Sequence, residues 1–183
     1  CPAVRKTLDR LSILADSAVP VLLEGPEGSG RRHLARAYAQ HLGHRMETCI
    51  VLDVKLVPPN QTRDTLVKLV SKMSPGLLVV AHAEHLAPEA ASWLICHGQT
   101  GDIPGRLVVT LDSGTRGPIP DALRRAFATG LVKVPSLGER LEDFDAITDS
   151  IVKRLGGRPD QLTTSARAVL TKRSWPGEVA ELR

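Results

Sequence analysis

Apolar and polar positions alternate along this chain in two distinct rhythms. Val4, Leu8, Leu11, Leu14 and Ala15 recur at helical spacing, and the apolar run Val19, Val21, Leu22 and Leu23 then reads as a buried strand. Leu34, Ala35, Tyr38 and Leu42 mark the core face of a second helix that ends near Gly43. Further short apolar runs at Cys49–Leu52, Leu77–Val80, Leu107–Val109 and Leu131–Val134 predict four more strands. Between them, helical patterns occupy Thr62–Met73, Ala87–His97 and Pro120–Thr129, and Pro58-Pro59-Asn60 reads as a loop. Strands alternating with helices predict a parallel sheet covered on both faces. After Pro135 only the helical rhythm remains. Phe144, Ile147, Ile151 and Leu155 form a stripe stopped by Gly156-Gly157, a helix follows over Leu162–Lys172, and Trp175-Pro176-Gly177 turns into a last one. The boundary falls at residue 137, giving an α/β core over 1–137 and a small all-helical unit over 138–183.

Composition narrows the function classes. Hydrophobic residues make up 42% of the chain, enough for a real core, yet only 3% are aromatic, so that core is aliphatic and offers few rings for stacking bases. A net charge of +4 without a dense Lys/Arg block does not argue for nucleic acid. Cys1, Cys49 and Cys96 are widely spaced, which disfavours a metal site or a disulfide framework and fits a reducing cytoplasm. No apolar run approaches the roughly 20 residues a bilayer span needs. The chain starts and stops abruptly, and reads as a piece of a longer protein.

The stretch with the most chemistry follows the first strand: Gly25-Pro26-Glu27-Gly28-Ser29-Gly30, then Arg31 and Arg32 at the head of a helix. Glycines let a backbone bend around an anion while the N–H groups of the loop and first helical turn point at it. A P-loop of spacing G-x-x-x-x-G-K-[ST] adds a lysine for the outer phosphates and a hydroxyl for magnesium. Gly25 and Gly30 keep that spacing, but Arg31 and Arg32 stand where the two chemical side chains belong. Arginine keeps the charge in a larger, forked head, and Arg32 has no hydroxyl to offer a metal. The candidate nucleotide-binding residues, in vestigial or weak form, are therefore Gly25, Glu27, Gly28, Ser29, Gly30, Arg31 and Arg32. His82, Glu84 and His85 lack a third ligand at a recognisable spacing and read as a solvated loop, and Arg124-Arg125 as a solvated helix face. Lys153-Arg154 and Lys172-Arg173 read as solvated helix ends, and Trp175 as an anchor of the final turn.

Three stretches taken in order resemble the AAA+ central domain of sigma-54-type bacterial transcription activators, the enhancer-binding proteins. VLLEGPEGSGRRHLARAYAQHLG is similar to that family's strand, Walker A loop and helix; VPSLGERLEDFDAITDSIVKRLGG to the segment opening its lid; and LTTSARAVLTKRSWPGEVAELR to its lid ending, W-P-G-N-V-R-E-L. The resemblance implies a P-loop AAA+-like parallel sheet with a C-terminal helical lid, upstream sensory and downstream helix-turn-helix domains, and self-association. It also implies how this chain departs from the family. Ala81 and His82 replace the Walker B carboxylates, Asp112 the sensor asparagine, and Ala180 the second-sensor arginine. Pro120 and Ala126 stand opposite the trans-acting arginines, with Arg124 and Arg125 nearby but offset. The segment from Asp53 to Gly76 is short and lacks the G-A-F-T-G-A loop, which argues against the usual sigma-factor contact. The reading is a central regulator domain with ATP hydrolysis lost and no cofactor required, acting in signal coupling and self-association. Its rival is a divergent but functional ATP-binding or ATPase module, with Arg31 cradling phosphate, that drives nucleotide-dependent oligomerisation in transcription activation; any ATP bound by the principal reading would be bound weakly.

Overall fold

The computed structural model describes residues 2–43 and 48–182; Cys1 lies outside them. Five strands, β1 (Val21–Gly25), β2 (Cys49–Asp53), β3 (Gly76–Ala81), β4 (Gly105–Asp112) and β5 (Leu131–Lys133), form one sheet in the order β2-β3-β4-β1-β5, with every pairing parallel. The predicted sheet is thus confirmed; four strands lie within two residues of their apolar runs at each end, and β4 extends its Leu107–Val109 run to eight residues. Helices α1 (Pro2–Ala15) and α2 (Arg31–His41) cover one face. The other is covered by α3 (Thr62–Lys72), α4 (Pro88–Thr100) and α5 (Pro118–Ala126). β3 is buried at all six positions because helices lie on both sides of it, which explains its unbroken apolar run.

The order of the strands fixes where a ligand crevice can form. β1 leads through α2 toward one edge, and β4 leads through α5 over the opposite face toward the other edge. β1 and β4 are neighbours, so the two connections part at their carboxyl ends, where open α/β sheets bind ligands. Gly25 and Asp112 pair at that point.

The lid comprises α6 (Phe144–Arg154), α7 (Thr164–Lys172) and the short α8 (Glu178–Glu181). Thr163 caps α7, its hydroxyl accepting the Ala166 N–H, so this helix starts two residues later than the apolar pattern predicts. Trp175 anchors the final turn as expected: its indole N–H donates to the Leu170 carbonyl at 2.9 Å, and its ring lies 6.4 Å from that of Phe144. Two stripes differ from their predicted form. Leu8 is 48% exposed, because Thr7, Leu11 and Leu14 make the buried face of α1. Leu155 is 72% exposed, because α6 ends at Arg154 and its buried face is Phe144, Thr148 and Ile151. In α5 the helix begins at Pro118, before the predicted Pro120, and closes into a 3₁₀ turn over Ala128–Gly130. The Pro58–Asn60 stretch likewise includes a 3₁₀ turn, Pro59–Gln61. Among the described residues, no helix is long and apolar enough to cross a membrane.

Candidate functional site

The glycine loop has the backbone form that its sequence predicts. Gly25 ends β1 so close to the chain after β5 that a side-chain carbon there would lie 2.6 Å from the Val134 carbonyl oxygen. Gly28 and Gly30 have φ of +81° and +99°, a region that side-chain-bearing residues rarely adopt, and α2 begins immediately after. The loop therefore delivers the N-terminus of an 11-residue helix to the crevice between β1 and β4.

Two polar side chains are buried in this turn without partners. Ser29 is 1% exposed and its hydroxyl makes no hydrogen bond; Arg31 is 5% exposed and its Nη1 makes none. Burial holds the Arg31 guanidinium below the usual arginine range, with the charges of Glu84 and Asp112 opposing that shift. Neither carboxylate bonds to it. Glu84 instead accepts the Asp112 backbone N–H at 3.2 Å, and Asp112 accepts that of Gly114 at 3.0 Å.

Beside Arg31 runs a continuous polar chain. Arg32 donates to Asp53 Oδ2 at 2.8 Å, and His82 Nδ1 lies 2.9 Å from Asp53 Oδ1. Burial pushes the Asp53 carboxyl up, but the His82 and Lys55 hydrogen bonds and the nearby cations outweigh it, so its pKa lies below the usual value. Lys55 reaches across to Glu27 in the loop at 2.5 Å, which is the first cause of that carboxyl's lowered pKa. His82 sits at φ +57°, uncommon for a residue with a side chain, and its N–H donates to the Thr110 hydroxyl at 3.1 Å.

The lid closes directly on the loop. A side-chain carbon at Gly28 would meet the Gly177 carbonyl oxygen at 2.3 Å and the Ala180 Cβ at 3.2 Å. Arg140 Nη2 donates to the Ser29 carbonyl at 2.5 Å. Glu178, buried and at φ +56°, accepts the Leu137 N–H, fixing the start of the lid to its end.

These positions revise two expectations. His82 and Glu84 do not form a solvated loop: β3 ends in a tight 3₁₀ turn, Ala83–His85, that packs both side chains against neighbouring strands. Arg124 is not a solvated helix residue. Its guanidinium turns inward to Glu24 at 2.6 Å, Asp121 at 2.9 Å and the carbonyls of Asp112 and Thr115, whereas Arg125 is exposed. Arg173 keeps its predicted solvated position, 61% exposed, and there pairs with Glu181 and lies over the Trp175 ring. The contiguous loop residues, Asp112 and Ala180 do converge. Asp53, Arg140 and Glu178 join them, three residues that the sequence reading did not pick as candidates. A signal existed for Asp53, a lone acid ending an apolar strand, where ligand-facing residues of parallel sheets collect.

The side chains present do not fit a magnesium ion held in the P-loop manner. Arg32 offers no oxygen, Ala81 offers nothing, and Asp53 is already engaged by Arg32 and His82. Among the described residues, no group of three or more His, Cys, Asp or Glu side chains could hold a metal. The head of α2 is different: an unpartnered hydroxyl and a buried cation at a helix N-terminus are chemically suited to an anion.

The fold resembles that of AAA+ P-loop NTPase domains. NtrX from Brucella abortus, solved in complex with ATP, superposes with a TM-score of 0.79 at 19% identity, covering 98% of this chain and 47% of that one. The P-loop NTPase domain of a sigma-54 activator from Escherichia coli superposes at 0.53 with 20% identity, covering 73% of this chain and 95% of that one. By sequence, the propane 2-monooxygenase operon transcriptional activator MimR of Mycolicibacterium goodii is 25% identical over 166 residues, 89% of this chain and 28% of MimR. No protein-family profile matches. These similarities, in sequence and in fold, are to bacterial transcription activators of the kind its three motifs resemble. It spans about a third or less of the length of the first curated relatives it matches.

Proposed function

We propose that this chain is the central AAA+ core and lid of a longer bacterial transcription regulator in which ATP hydrolysis has been lost. It couples an upstream sensory domain to a downstream helix-turn-helix domain by packing and self-association, in the cytoplasm, with no sigma-factor contact through the usual loop. The observation that carries this reading is the Arg32–Asp53–His82 chain. Arg32 stands where the family places its magnesium hydroxyl, and His82 where it places a water-orienting carboxylate. The two are joined through one acid, so the metal and water positions are filled by mutually satisfied protein groups. Phosphoryl transfer depends on positioned cations and a metal, and removing one such group costs about 10²–10³ in rate. Here the lysine, the hydroxyl, both carboxylates and the lid arginine are replaced together. Phosphate release from ATP and magnesium should match a buffer control. A magnesium-dependent turnover abolished by Arg31→Ala would overturn the reading.

A second reading, ATP binding without turnover, is favoured by the unpartnered Ser29 hydroxyl and Arg31 Nη1 at the head of α2. Titration with a fluorescent nucleotide separates the two. The principal reading, which needs no cofactor, expects no saturable signal that Arg31→Ala removes.

A further inference from the structure

A cavity of about 910 Å³ lies beside the glycine loop rather than in it. It is a groove along β5, walled by α1 and the linker to the lid and open at the carboxyl ends of β1 and β4. Of the glycine loop it touches only Gly25 and Pro26; none of residues 27–32 lines it. Four cations face it from three separate elements: Lys6 and Arg10 from α1, Arg116 from the turn after β4, and Lys133 from β5.

Their charge is poorly compensated. Arg10 donates to the Thr129 carbonyl at 2.7 Å, and Arg116 to the carbonyls of Ser113 and Thr115 at 2.7 and 3.0 Å. Both guanidiniums are therefore held in place by backbone oxygens, and neither has a carboxylate partner among the described residues. Lys6 and Lys133 have no ion pair there either. Two carboxylates also face the groove. Glu24 is neutralised by Arg124 at 2.6 Å; Glu139, held by the Ser136 N–H and hydroxyl at 2.7 and 3.0 Å, keeps its charge and feels that of Lys133, so it offsets one of the four cations. What remains is an excess of positive charge, pre-positioned before any ligand arrives, beside an apolar strip of Leu131, Val132, Val134 and Pro135.

We propose that this groove is a second anion site, separate from the glycine loop, for a small organic polyphosphate: an uncharged body carrying two or more phosphoryl groups. Arginine forks and lysine ammonium groups converging from several directions suit multiply charged phosphoryl oxygens. The volume lies in the range of small-molecule sites and far exceeds one phosphate ion, and the apolar strip gives the body a wall to rest on. Binding here needs no metal, because the four side chains supply the neutralising charge.

The test is calorimetric titration of the whole chain in magnesium-free buffer with a chelator, using ADP and, separately, inorganic pyrophosphate as probes. Both should bind, ADP several-fold more tightly. Arg116→Ala, and independently the double charge reversal Lys6→Glu with Lys133→Glu, should weaken ADP at least about tenfold, or about 1.4 kcal/mol. Lys6, Lys133 and Arg116 are exposed, so the melting temperature should hold. Arg31→Ala should leave the affinity unchanged. Absence of saturable binding by either probe overturns the proposal. So does a loss confined to Arg31→Ala, which would place the ligand in the glycine loop and support the second reading above instead. Equal affinity for the two probes would overturn the assignment of an organic body.

Discussion

Two arginines flank the carboxyl end of β1, one half-buried and one buried, and they are opposites. Arg124 comes from α5 on one face of the sheet and spends its guanidinium on Glu24, Asp121 and two backbone carbonyls. Burial alone would lower its pKa, but those acidic partners outweigh it and raise it. Arg31 heads α2 on the other face, is more deeply buried, and has an Nη1 that bonds to nothing. Its pKa falls, because the charges of Glu84 and Asp112 do not offset its lost hydration. A buried cation with its partners in place is a brace. A buried cation without them is a cost that the rest of the fold carries. The same strand end thus holds one arginine whose partners are in place and one whose Nη1 has none.

The largest effect should come from breaking the brace. Arg124→Ala leaves the Glu24 carboxylate, 13% exposed, without its cation. Removing one partner of a buried pair costs about 3–5 kcal/mol, and the partial exposure here places it near the lower end. The melting temperature should drop by roughly 6–12 °C in a domain of this size. Arg31→Met, by contrast, removes an unsatisfied cation and keeps most of the packing. Its melting temperature should hold or rise slightly, by thermal unfolding in the same buffer. Equal losses in the two variants would erase the distinction between the arginines.

The next effect sharpens Arg31 alone. If the backbone N–H groups of residues 25–30 still converge at the head of α2, then Arg31→Lys with Arg32→Thr returns an ammonium and a hydroxyl to a prepared cradle. ATP affinity by calorimetry should rise at least about tenfold, worth about 1.4 kcal/mol. Hydrolysis should stay absent because Ala81 and His82 cannot hold metal or water. A folded double variant with no gain would mean that the cradle is lost at the backbone, closed by Gly177 over Gly28.

The same contrast explains what could be read from residues alone. The sheet was legible because parallel strands buried on both faces, as at Leu77–Val80, leave continuous apolar runs that few other structures need. The glycine loop was legible because left-handed backbone at Gly28 and Gly30 restricts residue choice at fixed spacing. Charged side chains carry no such local constraint. Arg124 could have pointed to solvent, and only its partner a hundred positions away, Glu24, turns it inward. Likewise Arg32 and His82 read separately as losses. Their shared contact with Asp53, from a strand between them in sequence, makes them a unit. Leu8 and Leu155 fit helical spacing equally well and face water, because periodicity names a stripe without saying what lies opposite it.

The smallest expected effect concerns that unit. The Asp53 carboxyl titrates below its usual value in the folded chain, since the hydrogen bonds from His82 and Lys55 and the charge of Arg32 outweigh the opposing effect of burial. A carboxyl whose folded pKa is depressed adds stability that is complete above its unfolded value, about pH 4, and is lost as pH falls through the folded one. Asp53→Asn removes the titrating group. Acid unfolding of the variant should therefore be shallower below about pH 4, while its stability at neutral pH drops modestly because Arg32 and His82 lose their common partner. Arg32 is exposed and can re-solvate, so its half of the unit contributes at most about 1 kcal/mol. His82, with a side chain only 12% exposed, carries the remainder. Chemical denaturation at several pH values measures both. If Asp53→Asn followed the parent curve at every pH, Asp53 would not bind Arg32 and His82 together in solution, and the strand tip beside Arg31 would be as open as an intact metal site.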